Sequence, residues 1–242
     1  DRALRELKSL FLDRDYTCLV ERRAGIPSAL VRDVLVATLA FHDVGKAYAE
    51  CQRRISAGSR WSVPKHEFYS ALAFWHSAKR LEDDRLRKAA TLAIMLHHIA
   101  SRGPKPELSL RDWEKYKAPS KVTMPLETQR ELIEGLRARV NTELFNPAEV
   151  PREASKSDVE QLIRGELRDM LACVGSKGYS DYALTLFLLR PLIICDSRAA
   201  GVARSGSLRP FVRGLVPPEV AGRVSEAVRR ALQGRGTTWE GY

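Results

Sequence analysis

The sequence predicts an all-α fold, and three observations lead there. Apolar residues recur at three- and four-residue spacing in most segments. No stretch of useful length alternates apolar and polar residues as a half-buried strand would. Proline and glycine fall between the periodic segments, where they break helices.

Taken in order, residues 3–23 read as a helix, with Leu4, Leu7, Leu10 and Phe11 on one face. Ile26-Pro27-Ser28 opens the next, with Ser28 as the expected cap. That helix runs from about Ala29 to Phe41 and ends on His42-Asp43. Residues 52–65 read as a loop, rich in Arg, Ser and Gly, with Trp61 and Pro64. A helix starts at His66, and another covers about 84–99. Residues 101–125 read as a long basic loop carrying Trp113, a length usual for functional segments. Amphipathic helices follow over 127–140 and 157–174, joined by connectors at 141–156 and 175–180. The most apolar helix, 181–200, carries Pro191 and should be central. A last helix runs from Pro217-Pro218 to about Gln233. The expected organisation is one domain, with a core over about 1–201 and a basic helical extension over 202–242.

With 242 residues the chain is long enough for a sizeable core. No apolar run is long enough to span a bilayer, and no signal-peptide pattern opens the chain, so a cytoplasmic protein with no membrane partner is expected. Cys18, Cys51, Cys173 and Cys195 show no CxxC spacing, which argues against a zinc ribbon or a disulfide framework. Two Asn and four Gln beside abundant Arg and Glu lean towards a thermophile.

The net charge of +10 points to an anionic partner, most simply nucleic acid; a basic but solvated surface is the plainer alternative. The excess is uneven: residues 197–242 hold eight Arg and three Glu, and residues 101–125 hold six Lys/Arg and three Asp/Glu. Patches of this kind suit a phosphate backbone.

Five histidines are present: His42, His66, His76, His97 and His98. His42 stands beside Asp43, and imidazole next to carboxylate suits a divalent metal. His97 and His98 close an apolar helix, and His66 opens one. Burying several imidazoles without partners is costly, and a shared metal resolves that cost. Asp196 follows Leu-Ile-Ile-Cys, so its carboxylate must bind metal, pair with a cation such as Arg198, or carry a proton. For His97-His98 a satisfied core or surface pair is the alternative. His76, among Phe74, Trp75 and Ser77, reads as structural.

The ordered words FHDVGKAYAECQ (41–52), HEFYSALAFW (66–75), IMLHHIA (94–100) and CDSRAAG (195–201) resemble the HD-domain superfamily of metal-dependent phosphohydrolases. More closely, they resemble the stand-alone HD nuclease of type I CRISPR interference. One departure stands out. The family usually carries a further histidine on an earlier helix, whereas no histidine precedes His42 here; Tyr16 is the residue expected in that place, the alternative being a histidine upstream of Asp1.

The resemblance implies an HD-domain helical bundle and two metals bridged by Asp43. One would take His42, Asp43 and Asp196; the other Asp43, His66, His97 and His98. Lys46 would stabilise the scissile phosphate, its alternative being a surface charge at a helix end. Ser70, Ser197 and Arg198 would line the site. Two adjacent divalent metals suit phosphodiester hydrolysis by an activated water. Mixed His and carboxylate ligands favour Mn, Fe, Co or Ni over Mg alone. The implied substrate is single-stranded DNA, with RNA tolerated. Aromatics such as Trp61 and Trp113 are candidate stacking platforms for its bases, although tryptophans of this kind are more often structural. The implied partners are a separate CRISPR helicase subunit and a crRNA-guided surveillance complex. Two other readings share the HD core: a phosphohydrolase of nucleotides, and a degenerate scaffold that docks a helicase.

Overall fold

The computed structural model describes residues 2–12, 16–56, 65–98, 113, 119, 121–172 and 179–205. The chain divides into two compact units, Asp1–Asp196 and Ser197–Tyr242. Ten α-helices and a single two-stranded ribbon make up the regular structure among the described residues, so the fold is all-α.

The helices are α1 (Arg2–Leu7, continuing as a π-turn over Lys8–Leu12), α2 (Tyr16–Ala24), α3 (Ser28–Phe41) and α4 (Ala49–Ser56). They continue with α5 (His66–Ser77), α6 (Asp84–Leu96), α7 (Leu126–Arg137), α8 (Lys156–Gln161, followed by a π-turn over Leu162–Glu166), α9 (Arg168–Ala172) and α10 (Tyr179–Ser205). A 3₁₀ turn over Val44–Ala47 joins α3 to α4.

Helix α5 is the centre. Every one of its residues except His76 is buried. It packs on α3, α6, α8 and the Val44–Ala47 turn. Phe68, Leu72, Phe74 and Trp75 fill this layer, each contributing about 2 kcal/mol relative to exposure. Helix α3 lays Val31, Val34, Leu35, Thr38 and Phe41 inward at helical spacing, and Phe41 meets the Phe74 ring edge-on at 5.7 Å. Asp83 caps α6 by accepting the Leu86 N–H at 2.8 Å. The histidines that follow α3 and α6, His42 and His97, lie with ring centroids 5.3 Å apart, and His97 is 6.1 Å from His66 at the start of α5.

Several expectations are corrected. Ser28 is the first helical residue and not a cap; its own N–H donates to Glu21 at 3.3 Å. The stretch read as a loop from residue 52 begins as helix α4, whose buried anchor is Cys51 alone. The segment 157–174 is no single helix: it starts with a Ser155–Asp158 capping box and passes through the π-turn before α9. At the end of the 101–125 loop, Val122–Thr123 pairs antiparallel with Glu153–Ala154. Trp113 is no stacking platform: it is 1% exposed and lies on Phe68 with ring centroids 4.4 Å apart. Trp61 and the helix expected over 217–233 fall outside the described residues.

Among the described residues no single helix is long and apolar enough to cross a membrane. Cys51 is buried and its thiol is free.

Candidate metal centre

Helix ends build this site. The last carbonyls of an α-helix have no partner within the helix. At the end of α3, His42 supplies one: its Nδ1 lies 2.7 Å from the Leu39 carbonyl. His97 repeats the device at the end of α6, with Nδ1 2.6 Å from the Ile94 carbonyl. A carbonyl only accepts, so each Nδ1 carries the proton. In the neutral ring each Nε2 therefore presents a lone pair, and both point into the same space. His97 Nε2 is buried with no hydrogen-bond partner. His42 Nε2 meets only Asp43 at 3.5 Å and Asp196 at 3.4 Å, longer than good hydrogen bonds.

His66, the first residue of α5, turns its Nε2 to the same centre, 3.2 Å from Asp43 Oδ1 and 3.0 Å from His98 Nε2. Two imidazole nitrogens roughly 3 Å apart have the spacing of neighbouring ligands on one ion with bonds of about 2 Å. Glu67, which the sequence reading passed over, is 4% exposed, and its Oε2 lies 3.8 Å from the outer nitrogen of His66. A buried acid next to a histidine at a helix start was its only sequence signal.

Two ligand groups result: Asp43 with His66, His97 and His98, and His42 with Asp43 and Asp196. Within each, the ligand atoms lie within 4.8 Å of one another. Asp43 belongs to both. It sends Oδ1 to His66 and Oδ2 towards His42, so each oxygen serves one group. The donor set of neutral imidazoles and carboxylates fits a divalent ion, and this His/Asp cluster can hold one.

The other expected site residues divide. Lys46 Nζ sits 2.7 Å from Asp43 Oδ2, and its carbonyl accepts from Gln52 at 2.5 Å. Ser70 does not line an open site: it is fully buried and accepts the Gly45 N–H at 2.8 Å. Tyr16 is no substitute ligand, because its hydroxyl donates to the Phe187 carbonyl at 2.8 Å and burial pushes its pKa up to about 12. His76 stands apart from the cluster, as expected of a structural residue. Ser197 and Arg198 fall in the second unit.

The electrostatics differ between the two groups. Burial, then the neighbouring rings of His98 and His42, hold the His97 pKa well below the usual imidazole range. Desolvation of the inward ring and the adjacent His66 bring His98 down to about 4. Burial acts on His42 in the same direction, but Asp196 and Asp43 outweigh it and raise its pKa. Burial likewise opposes ionisation of Asp43, yet His66, His42 and Lys46 hold it well below the carboxylate range.

A pH dependence follows. His97 and His98 are already neutral near neutral pH, so an ion there displaces no proton from either of these rings. An ion on the His42 side must displace the His42 proton wherever pH lies below the raised pKa. Affinity on that side should then climb by up to about tenfold per pH unit. Calorimetry in buffers of different ionisation enthalpy reads the protons released. Equal release by wild type and Asp196→Ala, which retains only the His66 group intact, would contradict this assignment.

No protein-family model matches the chain, and no curated protein matches it either. What the fold and the cluster define is an all-α protein with a His/Asp site able to hold a metal ion.

Proposed function

We propose that the chain is a metal-dependent phosphodiesterase of the HD kind that cleaves single-stranded DNA, with RNA as a tolerated substrate. The observation that carries this reading is the sharing of Asp43 between two ligand groups. Two divalent ions so held supply a lowered pKa for water and positive charge for the phosphoryl oxygens.

The chain's own residues would do the rest. His66, His97 and His98 with Asp43 hold one ion; His42, Asp43 and Asp196 hold the other, without the further histidine the HD pattern usually supplies. Mn, Fe, Co or Ni suits these donors better than Mg. His42, His66 and His97 are buried, whereas His98 is exposed and the side chains of Asp43 and Asp196 are 35% and 33% exposed. The centre thus opens at His98 and its carboxylates, where a phosphodiester can approach. Lys46, 38% exposed, stands at that opening with its ammonium on Asp43. Once an ion takes over the neutralisation of Asp43, that ammonium can turn to a phosphate oxygen.

A net charge of +10 favours a polyanion over a single nucleotide. The resemblance to the stand-alone CRISPR nuclease adds a helicase subunit and a crRNA-guided complex as partners in interference. The decisive experiment incubates the protein with Mn, Co or Ni and labelled single-stranded DNA, duplex DNA and dNTPs. Degradation of the single strand, abolished by chelator, is expected. Turnover of dNTPs alone would favour a nucleotide phosphohydrolase, and no turnover in any metal would favour a scaffold.

A further inference from the structure

We infer that Ser70 is a positioning residue that sets the separation of the two ligand groups by holding Asp43 against His66. The inference rests on reading the cluster as a metal centre.

The argument begins at Gly45, two residues after the shared ligand Asp43. A Cβ built there would lie 2.1 Å from the His66 carbonyl oxygen and 2.9 Å from its carbon. These are backbone atoms, which cannot swing aside. The turn after α3 and the first residue of α5 therefore meet backbone to backbone, and only glycine permits that approach. Close approach alone leaves the two elements free to slide. The Ser70 hydroxyl removes that freedom. It lies one helical turn beyond His66 on α5 and accepts the Gly45 N–H at 2.8 Å in a fully buried setting. The bond runs from the turn that carries Asp43 to the helix that carries His66.

Position at this point matters because Asp43 divides its oxygens between His66 on one side and His42 on the other. A slide of the turn along α5 lengthens one of these relations and shortens the other. Ser70 acts through the backbone of Gly45 and touches no ligand atom. Outer partners of this sort typically change metal affinity by about 10- to 100-fold when removed.

The test uses Ser70→Ala and Ser70→Cys in the full chain, with Mn²⁺ as the probe. Three quantities are read: apo thermal stability in chelator, Mn²⁺ affinity by calorimetry, and the exchange-coupled electron paramagnetic resonance signal of a Mn pair. For Ser70→Ala the second equivalent should bind about tenfold more weakly and the coupled signal should be lost or altered. Ser70→Cys, nearly isosteric and a weaker acceptor, should fall between alanine and wild type, and it keeps the test open if alanine does not fold. A Ser70→Cys or Ser70→Ala protein that folds and keeps wild-type affinity and coupling, with only its apo stability lowered, overturns the inference and leaves the metal-centre reading intact. Wild type that binds no Mn²⁺ overturns both.

Discussion

Asp43→Ala should remove metal-dependent cleavage while leaving the helical fold in place. The substitution takes the one carboxylate that both ligand groups use. Each group keeps only its other members, His42 with Asp196, and His66 with His97 and His98. Losing the bridge forfeits several kcal/mol of charge stabilisation at the reacting phosphate; about 4 kcal/mol corresponds to roughly 10³-fold in rate. The cost to the fold is small by comparison. The Asp43–Lys46 pair is about one-third exposed on both sides, and such pairs contribute at most about 1 kcal/mol. Single-turnover cleavage of a labelled strand, run beside circular dichroism, checks both halves. Residual activity within tenfold of wild type would mean that Asp43 bridges nothing.

Gly45→Ala should have the largest effect on stability. The added methyl would overlap the His66 carbonyl, and both partners are backbone. Forced overpacking of a closed interior costs about 1–3 kcal/mol, and a rigid backbone clash belongs at the upper end. In a domain of this size about 3 kcal/mol lowers Tm by roughly 6–12 °C. Since α5 is the central helix, its displacement reaches α3 and α6 as well. Thermal unfolding in chelator isolates this effect from metal binding. A Tm within 2 °C of wild type, as read at about 1 kcal/mol or less, would show that the turn can back away from α5 without penalty.

The ligands were legible in the sequence because few residue types bind metal. His42, Asp43, His66, His97, His98 and Asp196 all come together, although they span residues 42 to 196. Histidine and aspartate at the ends of apolar segments announce themselves chemically, whatever the packing. The same approach misjudged Ser70, whose hydroxyl suits a substrate contact and a buried hydrogen bond equally well by type. Only the approach of Gly45 to His66 tells these apart, and a backbone-to-backbone approach leaves no trace in local spacing beyond a glycine. Trp113 takes the structural one of its two readings, which sequence alone left open for a related reason. An indole in a basic segment resembles a stacking surface, and its burial on Phe68 depends on a partner more than forty positions earlier. Helix α4 escaped notice because one buried residue, Cys51, makes no periodic pattern. The two-residue strands are too short to alternate.

The scatter of the ligands along the chain has a consequence for folding. His42 ends α3, His66 opens α5, His97 follows α6 and Asp196 lies on α10. None of these helices can gather the set by itself, so no high-affinity site exists in the unfolded chain. An ion in the His66 group would act as a tertiary clasp on three segments distant in sequence, and one in the His42 group on two, in a chain whose described cysteines form no disulfide. At a concentration one hundred times its Kd, such an ion adds about 2.7 kcal/mol to the folded state. Were a metal bound at this cluster, its supply would bear on how much of the protein persists folded.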